Sequence, residues 1–357
     1  MSSVCFDVEH LYYLTQYLPV YRELRRRGVE VQFLLHHSDV SAELASAVEE
    51  HEGIEFHWCK TSEEMVEFYK TGDFDWIVFG NGCKHITELP ERSRTAQLYH
   101  GIGMKNDVYK SEIMQMDVRF VEGPYYTEEL NRLFPGCNLQ EVGYAKMDPL
   151  LGENSFDKVS MLREWKLDPA KQTVLYAPTF YPSSIECIAD DFPADIDRYN
   201  LIIRPHFFSF TKSRYRAQRE KFDRWQQYPN VYFAPKDRVI PVPYLAVADL
   251  LISEASSMLF EFAALDKPAI WCDFLKLRWT YKGPLRFRLN RRMDSRITRY
   301  HDIAVHAASY SELTRLIGEQ LQEPHRFSDK RRQYCTELMG SLDGDVSKRI
   351  ADYLFES

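Results

Sequence analysis

The sequence lacks any apolar run long enough to cross a lipid bilayer, which takes about 20 residues in a helix. It begins MSSVCFDVEH, without the basic start or the apolar core of a secretory signal peptide. Positive charge is also scarce, since 45 Lys and Arg stand against 53 Asp and Glu, and the formal net charge is -8. A chain with this charge is a poor ligand for nucleic acid. We therefore expect a globular cytoplasmic protein that does not bind nucleic acid.

The seven cysteines follow no pattern that builds a disulfide framework or a zinc site. Their number is odd, they are scattered along the chain, and no C-x-x-C pair occurs. His36, His37, His51 and His57 also lack the spacing of a metal-ligand set. Asp73-Phe74-Asp75 spells the metal-binding D-x-D motif, but it precedes a strand, whereas parallel sheets bind ligands at the opposite edge. We expect reduced thiols, no metal and no cofactor.

What the chain does contain is a repeated alternation of short apolar runs and longer helical patterns. That alternation is typical of βα units, which build parallel sheets. At 357 residues the chain is too long for one ordinary core and suits two domains. We predict two Rossmann-like, doubly wound α/β domains that face a central cleft. Their predicted limits are an N-terminal domain 1–145, a hinge 146–165, a C-terminal domain 166–340, and a helix 341–357 that packs across to the first domain.

Ten runs rich in β-branched or aromatic residues are the predicted strands. They are Val4–Val8, Val29–Leu35, Trp76–Phe79, Ala96–Tyr99, Val118–Val121, Thr173–Tyr176, Leu201–Ile203, Val231–Phe233, Leu250–Ile252 and Ala269–Trp271. A first helix is predicted after the first strand, because apolar residues recur at helical spacing from Leu11 to Tyr21. Gly28 is placed to end this helix, and Pro19 must kink it or mark its true start.

The first polar motif, YHGIGMK, begins at Tyr99, the last residue of a predicted strand. His100 can exchange a proton near neutral pH. Gly101 and Gly103 let a ligand approach the backbone closely, and Lys105 adds a positive charge. Because ligands of parallel α/β sheets bind at the carboxyl ends of the strands, these are candidate catalytic, acceptor-binding or phosphate-binding residues.

Two further motifs follow strands in the second half of the chain. Val174–Phe180 runs from a strand into Ala-Pro-Thr, where Thr179 would present a hydroxyl at the cleft edge. Leu201–His206 ends in Arg-Pro-His. Arg204 and His206 supply a fixed charge and an imidazole, a combination suited to phosphate oxygens. These side chains are candidate ligands of a phosphorylated substrate.

The fourth motif is Asp249–Glu261, where a strand gives way to a helix capped by Ser256 or Ser257. Backbone N–H groups, hydroxyls and the positive end of the helix would converge there, which makes an anion site. Glu261 lies about one turn farther along this helix, where a carboxylate would repel phosphate but could accept hydrogen bonds from ribose hydroxyls. Glu254 is a weaker candidate for the same role.

Each motif also has a purely structural explanation. A histidine at a strand end is more often a satisfied structural side chain, and Ser-Ser before an apolar helix is usually only a cap. Chance is a poorer explanation for the four motifs together, because each lies at the end of a predicted strand and the motifs come from both halves of the chain. The basic segment Lys276–Arg299 stays open between a solvated loop with salt bridges and a surface for a phosphate-rich acceptor or an anionic membrane.

Together the four motifs resemble those of the CDP-glycerol glycerophosphotransferases, the teichoic-acid primase and polymerase family. That family carries an aromatic-His-Gly-x-x-x-Lys motif, an Ala-Pro-Thr strand end, an Arg-Pro-His and an acidic-x-Ser-Ser before a helix with an acidic residue. The matching stretches, in the same order, are Tyr99–Lys105, Tyr176–Thr179, Arg204–His206 and Glu254–Glu261. After Ala-Pro-Thr this chain has Phe180-Tyr181-Pro182, where the family often has an arginine.

The resemblance implies a GT-B fold and the transfer of glycerol phosphate from CDP-glycerol to an acceptor hydroxyl, often on a lipid-linked saccharide, with release of CMP. It implies that His100 is the general base, that His206, Ser256 and Ser257 hold the pyrophosphate, and that Glu261 holds the ribose. The first domain would be the acceptor side and the second the nucleotide-donor side. Peripheral contact with the inner face of the plasma membrane is left open by the basic segment and an amphipathic helix near Tyr12–Leu24.

Three alternatives stay open at this point. The donor could carry ribitol phosphate or another CDP-linked alditol. A GT-B glycosyltransferase that uses a nucleotide sugar would share the cleft, the helix-end phosphate site and the ribose-binding acid. A non-catalytic GT-B binding protein is disfavoured, because both histidines, Lys105 and the serine cap are all present.

Overall fold

Two parallel β-sheets, one in each half of the chain, organise the protein. The computed structural model describes residues 2–102, 106–152, 156–278, 281, 283–286 and 295–356. Within these residues the first sheet has seven strands and the second has six. The strand pairings are parallel in both sheets. The prediction of two doubly wound α/β lobes is confirmed.

The first sheet has the strand order β3-β2-β1-β4-β5-β6-β7. Its strands are β1 Ser3–Val8, β2 Glu30–His36, β3 Phe56–Cys59, β4 Trp76–Phe79, β5 Arg94–Leu98, β6 Val118–Val121 and β7 Leu139–Glu141. The direction of winding reverses between β1 and β4, and such a reversal opens a crevice at the carboxyl ends of the strands. Strand β5 lies beside β4, so the residues that follow β5 border this crevice.

The second sheet has the strand order β10-β9-β8-β11-β12-β13. Its strands are β8 Thr173–Tyr176, β9 Asn200–Ile203, β10 Val231–Phe233, β11 Leu250–Ser253, β12 Ala269–Cys272 and β13 Val305–Ala307. The winding reverses between β8 and β11, which are neighbours. The motifs that follow β8 and β11 therefore lie side by side at the second crevice.

Helices cover both faces of each sheet. Within the described residues the α-helices are α1 Leu14–Arg26, α2 Asp39–Glu52, α3 Ser62–Thr71, α4 Pro124–Leu133, α5 Asp148–Leu151, α6 Lys158–Glu164, α7 Phe192–Asp195, α8 Phe207–Thr211, α9 Arg216–Trp225, α10 Val242–Val247, α11 Ser257–Ala263, α12 Tyr310–Gln322, α13 Ser328–Met339 and α14 Val346–Glu356. Short 3₁₀ helices occur at Leu11–Tyr13, Ile86–Glu88, Asn106–Tyr109, Ser111–Gln115, Ala145–Met147, Ser213–Tyr215, Gly283–Arg286 and Ser295–Ile303.

Alternate residues of the central strands pack against opposite helix layers, as the two-residue period of a strand requires. In β1, Phe6 belongs to the apolar cluster of α1 and α14, whereas its neighbour Cys5 belongs to the cluster of Tyr69 on α3. Because both faces are covered, every residue of β1, β4 and β6 is buried. This burial explains why these strands read in the sequence as nearly continuous apolar runs.

One apolar cluster spans both lobes. Leu130 of α4 in the first lobe joins Phe260 of α11 and Leu338 of α13 in the same cluster. The helices approach closely at the start of α4, where a Cβ on Gly123 would lie 2.7 Å from the backbone nitrogen of Gly340. Only glycine permits this contact without a backbone shift.

The last helix, α14, packs against the first sheet. Ile350 and Leu354 belong to the apolar cluster of β1 and α1, and the indole N–H of Trp76 donates to the backbone oxygen of Leu354 at 2.8 Å. Asp148 accepts hydrogen bonds from the backbone N–H groups of Val346 and Ser347 at the start of this helix. A carboxylate at a helix N-terminus is stabilising. The residue limits given above for the two domains, the hinge and the C-terminal helix stay predictions.

The structure contains three strands that the sequence analysis did not predict, β3, β7 and β13. All three lie at sheet edges. Their sequences FHWC, LQE and VHA are short or interrupted by polar residues, so they lack the continuous apolar run of a buried strand.

Pro19 lies inside α1, which begins at Leu14. Among the described residues, no helix combines the length and the apolar composition needed to cross a membrane.

Candidate functional site

His100 follows β5, and its ring is held among aromatic side chains. Its Nδ1 lies 3.0 Å from the backbone oxygen of Gly80, the residue after β4. A carbonyl oxygen can only accept, so Nδ1 carries the hydrogen and Nε2 carries the lone pair of the neutral ring. The ring stacks on Tyr13 at 4.6 Å and meets Tyr12 at 5.1 Å. His100 therefore has the protonation pattern of a base that takes up a proton on Nε2.

Gly80 is a site residue that the sequence analysis missed. A Cβ at this position would overlap the Tyr13 ring that stacks on His100. Gly101, on the other side of His100, has open space around it, because a Cβ there meets no atom within 4 Å. Gly103 and Lys105 lie outside the described residues, and their proposed roles stay predictions.

His206 follows β9 and caps the short helix α8. Its Nδ1 accepts a hydrogen bond from the backbone N–H of Phe208 at 3.1 Å, so Nε2 carries the hydrogen of the neutral ring. Phe180 packs against the imidazole at 4.7 Å. Phe207 packs against the apolar core of the first lobe, which places α8 at the boundary between the lobes. An N–H at Nε2 suits hydrogen bonding to phosphate oxygens.

Arg204, at the end of the same strand, is a mostly buried cation. Its Nη2 donates to the backbone oxygen of Val239 at 2.8 Å, while its buried Nε has no hydrogen-bond partner within the described part of the chain. Burial lowers the pKa of Arg204, and the nearby Tyr244 and Glu261 oppose that shift. A buried guanidinium with an unsatisfied N–H favours a negative charge beside it.

Glu254 organises the loop that carries Thr179. Its carboxylate is 2% exposed and accepts hydrogen bonds from the backbone N–H groups of Thr179 at 2.6 Å and Ser184 at 2.7 Å. The hydroxyls of Ser183 and Ser184 donate to the same carboxylate. Burial raises the pKa of Glu254 above its ordinary value, and these hydrogen bonds offset only part of that rise. Both oxygens bind this loop, so Glu254 organises it, and its weaker candidacy as a ribose ligand stays a prediction.

Thr179 and the serine cap follow the neighbouring strands β8 and β11 at the second crevice. The Thr179 hydroxyl donates to the backbone oxygen of Pro182 at 2.7 Å. Ser256 is the N-cap residue of α11, and its Oγ accepts from the backbone N–H of Met258 at 3.3 Å. Ser257 is the first helical residue, and both serines are partly exposed. The predicted cap is therefore present, and its role toward a diphosphate stays a prediction.

Glu261 is fully buried, at 0% exposure, and is bound by Tyr144 and Lys146. Its Oε2 accepts from the Lys146 ammonium at 2.7 Å, and its Oε1 accepts from the Tyr144 hydroxyl at 3.2 Å. Burial lowers the pKa of Lys146, and the Glu261 charge opposes that shift. A ribose could reach Glu261 only if these contacts separated, so the predicted ribose role stays a prediction.

Arg278 is a cation that the motif search did not assign to the site. Its guanidinium lies 3.9 Å from the centre of the Tyr181 ring, and its backbone N–H donates to the Tyr181 hydroxyl at 2.6 Å. Tyr181 belongs to the loop after Ala-Pro-Thr, so a distant segment supplies this loop with a positive charge. The sequence feature that could have pointed to Arg278 is the excess of Lys and Arg over residues 276–299. Part of that segment lies outside the described residues.

The second lobe thus brings Thr179, Arg204, His206 and the serine cap to adjacent strand ends. One backbone hydrogen bond joins the segments after β8 and β9, since the His206 N–H donates to the Pro178 oxygen at 3.1 Å. His100 belongs to the first lobe. In the part of the chain that the structure describes, no group of three His, Cys, Asp or Glu side chains is placed to hold a metal ion.

Residues 88–356 match the family model of the CDP-glycerol:poly(glycerophosphate) glycerophosphotransferases. This chain belongs to that family. The teichoic acid poly(glycerol phosphate) polymerase of Bacillus subtilis (strain 168) is 25% identical to it over 222 residues. The aligned region is 57% of this chain and 28% of that polymerase, so the chain spans only a minor part of this relative's length.

Solved structures confirm the predicted GT-B fold. The wall teichoic acid polymerase TagF superposes with a TM-score of 0.71 at 15% identity, over 99% of this chain and 88% of that one. A UDP-GlcNAc 2-epimerase from Neisseria meningitidis superposes with a TM-score of 0.61 at 10% identity, over 100% of both chains. At these identities the likeness establishes the fold alone.

Proposed function

We propose that this chain transfers glycerol phosphate from CDP-glycerol to an acceptor hydroxyl on a saccharide or polyol-phosphate chain and releases CMP. The acceptor would belong to a cell-surface polymer such as teichoic acid. Family membership supports this choice of donor, as does the TagF variant whose structure was obtained after a soak with CDPG. The observation that carries the proposal is the pair of histidines, His100 with its lone pair on Nε2 and His206 with its hydrogen on Nε2.

The proposed reaction is a displacement at the phosphorus that bears glycerol. The acceptor oxygen forms a bond to this phosphorus while the bond to the bridging oxygen of CDP breaks, and CMP leaves with the electron pair. The acceptor proton goes to Nε2 of His100. A general base of this kind contributes about 10²- to 10⁴-fold to the rate.

The second lobe would stabilise the charge that grows on CMP. His206 can donate from Nε2 to a phosphate oxygen, and Arg204 supplies a buried positive charge near the same strand end. The N–H groups at the start of α11, next to Ser256 and Ser257, add donors. Phosphoryl transfer depends mainly on positioning and electrostatic stabilisation, so this set provides the kinds of groups that the reaction needs.

The deciding experiment is nucleotide release by the purified protein with matched donors. CDP-glycerol, CDP-ribitol and UDP-N-acetylglucosamine would each be incubated with lipid-linked saccharide acceptors, and CMP and UDP would be separated by chromatography. We expect acceptor-dependent CMP release from CDP-glycerol. Release of UDP would favour a glycosyltransferase, and CMP from CDP-ribitol alone would change the transferred group. No release and no thermal shift with any nucleotide would favour a non-catalytic binding protein.

We also propose that the enzyme works in the cytoplasm at the inner face of the membrane, where a lipid-linked acceptor would be presented. The excess of Lys and Arg over residues 276–299 supports this, because basic segments are attracted to anionic lipid headgroups. Flotation with vesicles of phosphatidylglycerol and phosphatidylcholine tests it. Binding should rise with the anionic fraction and fall with salt, and equal binding to neutral vesicles would contradict the proposal.

A further inference from the structure

A buried ion pair connects the hinge to the helix that carries the serine cap. Lys146 is 6% exposed and Glu261 is 0% exposed, and their charged atoms are 2.7 Å apart. Lys146 belongs to the 3₁₀ helix Ala145–Met147, and Glu261 lies on α11, which Ser256 caps. The pair therefore holds α11 at a fixed place relative to the 3₁₀ helix Ala145–Met147.

Gln16 continues this connection into the first lobe. It lies on α1, is 1% exposed, and uses both ends of its amide. Its Oε1 accepts from the backbone N–H of Lys146 at 2.8 Å, and its Nε2 donates to the backbone oxygen of Tyr99 at 3.1 Å. Tyr99 directly precedes His100. An unbroken series of buried contacts thus runs from the His100 strand end to α11.

Stability alone is a weak explanation for such an arrangement. Removing two charges from water is costly, and a buried ion pair often contributes no more than apolar residues of the same shape. The burial of Lys146 and the positive charge of Arg204 both lower the Lys146 pKa, which adds to the cost of keeping the ammonium there. What a buried pair does provide is one fixed geometry, because any displacement leaves a charge unpaired.

We infer that Gln16, Lys146 and Glu261 form an inter-lobe brace that sets the position of His100 relative to the phosphate-binding strand ends of the second lobe. This inference rests on the proposed transfer reaction. The three are positioning residues, since they act through the Tyr99 backbone and through α11. Reacting groups must be held within a fraction of an ångström, so loss of the brace should lower turnover rather than donor affinity.

The test uses variants that leave no unpaired buried charge. The double variant Lys146→Met with Glu261→Gln removes both charges at similar volume, and Gln16→Met breaks the connection at its other end. Acceptor-dependent CMP release gives kcat, calorimetry gives the Kd for CDP-glycerol, and thermal unfolding reports the fold. We expect kcat to fall by about 10- to 100-fold in both variants, with the donor Kd within about threefold of wild type.

The matched control is Lys221→Met. Lys221 is also a buried lysine, at 9% exposure, but its ammonium donates to the backbone oxygens of Ile185 and Ile188 within the second lobe. This variant should lose stability with kcat within about twofold of wild type. Combining Gln16→Met with the double variant should lower kcat by less than the product of the separate effects, because both act on one connection.

Three results would overturn the brace. The first is folded variants with wild-type kcat. The second is a kcat loss that Lys221→Met reproduces. The third is a tenfold or larger loss of CDP-glycerol affinity with saturating kcat unchanged, which would assign Glu261 to donor binding. If the double variant does not fold, the uncharged Gln16→Met change alone decides. An inactive wild type would instead refute the proposed function, so the two failures are distinguishable.

Discussion

Each lobe places one histidine after a strand, His100 after β5 and His206 after β9, but the two neutral rings carry their hydrogen on different nitrogen atoms. In the first lobe, a backbone oxygen accepts from Nδ1 of His100, and the lone pair falls on Nε2. In the second lobe, a backbone N–H donates to Nδ1 of His206, and the hydrogen falls on Nε2. The difference teaches that the same residue type becomes a proton acceptor or a proton donor according to its backbone contact.

One buried glutamate from each lobe, Glu254 and Glu122, shows a second contrast between the lobes. Glu254 follows the central strand β11 and receives hydrogen bonds from Thr179, Ser183 and Ser184. Glu122 follows β6, and its Oε2 has no hydrogen-bond partner among the residues described. Burial raises the pKa of Glu122 to about 7, although Arg119 opposes the shift. The second lobe thus holds a carboxylate by fixed donors, whereas the first contains one that changes charge near neutrality.

The largest expected effect is at His100. His100→Ala should lower kcat by about 10²- to 10⁴-fold, because no group would take the acceptor proton. Donor affinity should stay nearly unchanged, since CDP-glycerol is expected to bind the second lobe. Rates of CMP release and calorimetric Kd values check both parts. Near-normal turnover in this variant would refute the assignment of His100 as the base.

Replacing Glu254 and Glu122 by glutamine should change the free energy of unfolding in opposite directions. Glu254→Gln puts N–H donors against backbone and hydroxyl donors, so it should cost roughly 2–4 kcal/mol of unfolding free energy. Glu122→Gln should be stabilising instead. The folded pKa of Glu122 is about 7 against an ordinary value of 4.5, so the wild type loses stability as pH rises between these values.

Denaturant unfolding at pH 5, 6, 7 and 8 measures this contrast. The advantage of Glu122→Gln over wild type should grow across that range to roughly 2–3 kcal/mol, because glutamine cannot ionise. Glu254→Gln should be less stable than wild type throughout. A pH-independent difference for Glu122→Gln would contradict the raised pKa, and a neutral Glu254→Gln would remove the organising role of Glu254.

The comparison predicts that glutamine can replace the histidine at position 206 but not at position 100. His206→Ala should weaken CDP-glycerol binding by about 10- to 100-fold, the value of one hydrogen bond to a charged group. His206→Gln places an amide N–H near the position of Nε2 and should recover most of that affinity. His100→Gln should stay as inactive as His100→Ala, because an amide takes up no proton. If glutamine restored function at both positions or at neither, the assignment of His206 as a hydrogen-bond donor and His100 as a proton acceptor would be contradicted.

The smallest effect is expected at the serine cap. Replacing Ser256 and Ser257 by Ala should weaken donor affinity by about 3- to 10-fold and cost about 1 kcal/mol of stability. Ser309→Ala is the matched control, since Ser309 caps α12 by accepting from the Glu312 N–H at 3.3 Å. It should cost similar stability with unchanged donor affinity. If calorimetry shows unaltered binding in the Ser256 and Ser257 variant, the anion site lies elsewhere.

Sequence pattern was sufficient for the central strands and for the motifs at their ends. Buried parallel strands must be apolar on both faces, so Trp76–Phe79, Val118–Val121 and Thr173–Tyr176 were predicted with their observed limits. Loops after such strands meet at one edge, which is why the motifs could be assigned to a shared cleft. The edge strands β3, β7 and β13 were not predicted, because the sequence of a half-exposed strand is not a continuous run of apolar residues.

Only the tertiary structure decided what each site residue contacts. His100 contacts the backbone oxygen of Gly80, the residue after β4. Glu261 accepts from Lys146, which lies more than 100 residues earlier in the chain, and Arg278 contacts Tyr181 from a distant segment. A side chain's protonation and charge balance depend on the atoms around it, and long-range packing brings those atoms together. The sequence by itself therefore determined which residue types stand at the strand ends, while the packing of the two lobes determined the state in which each is held.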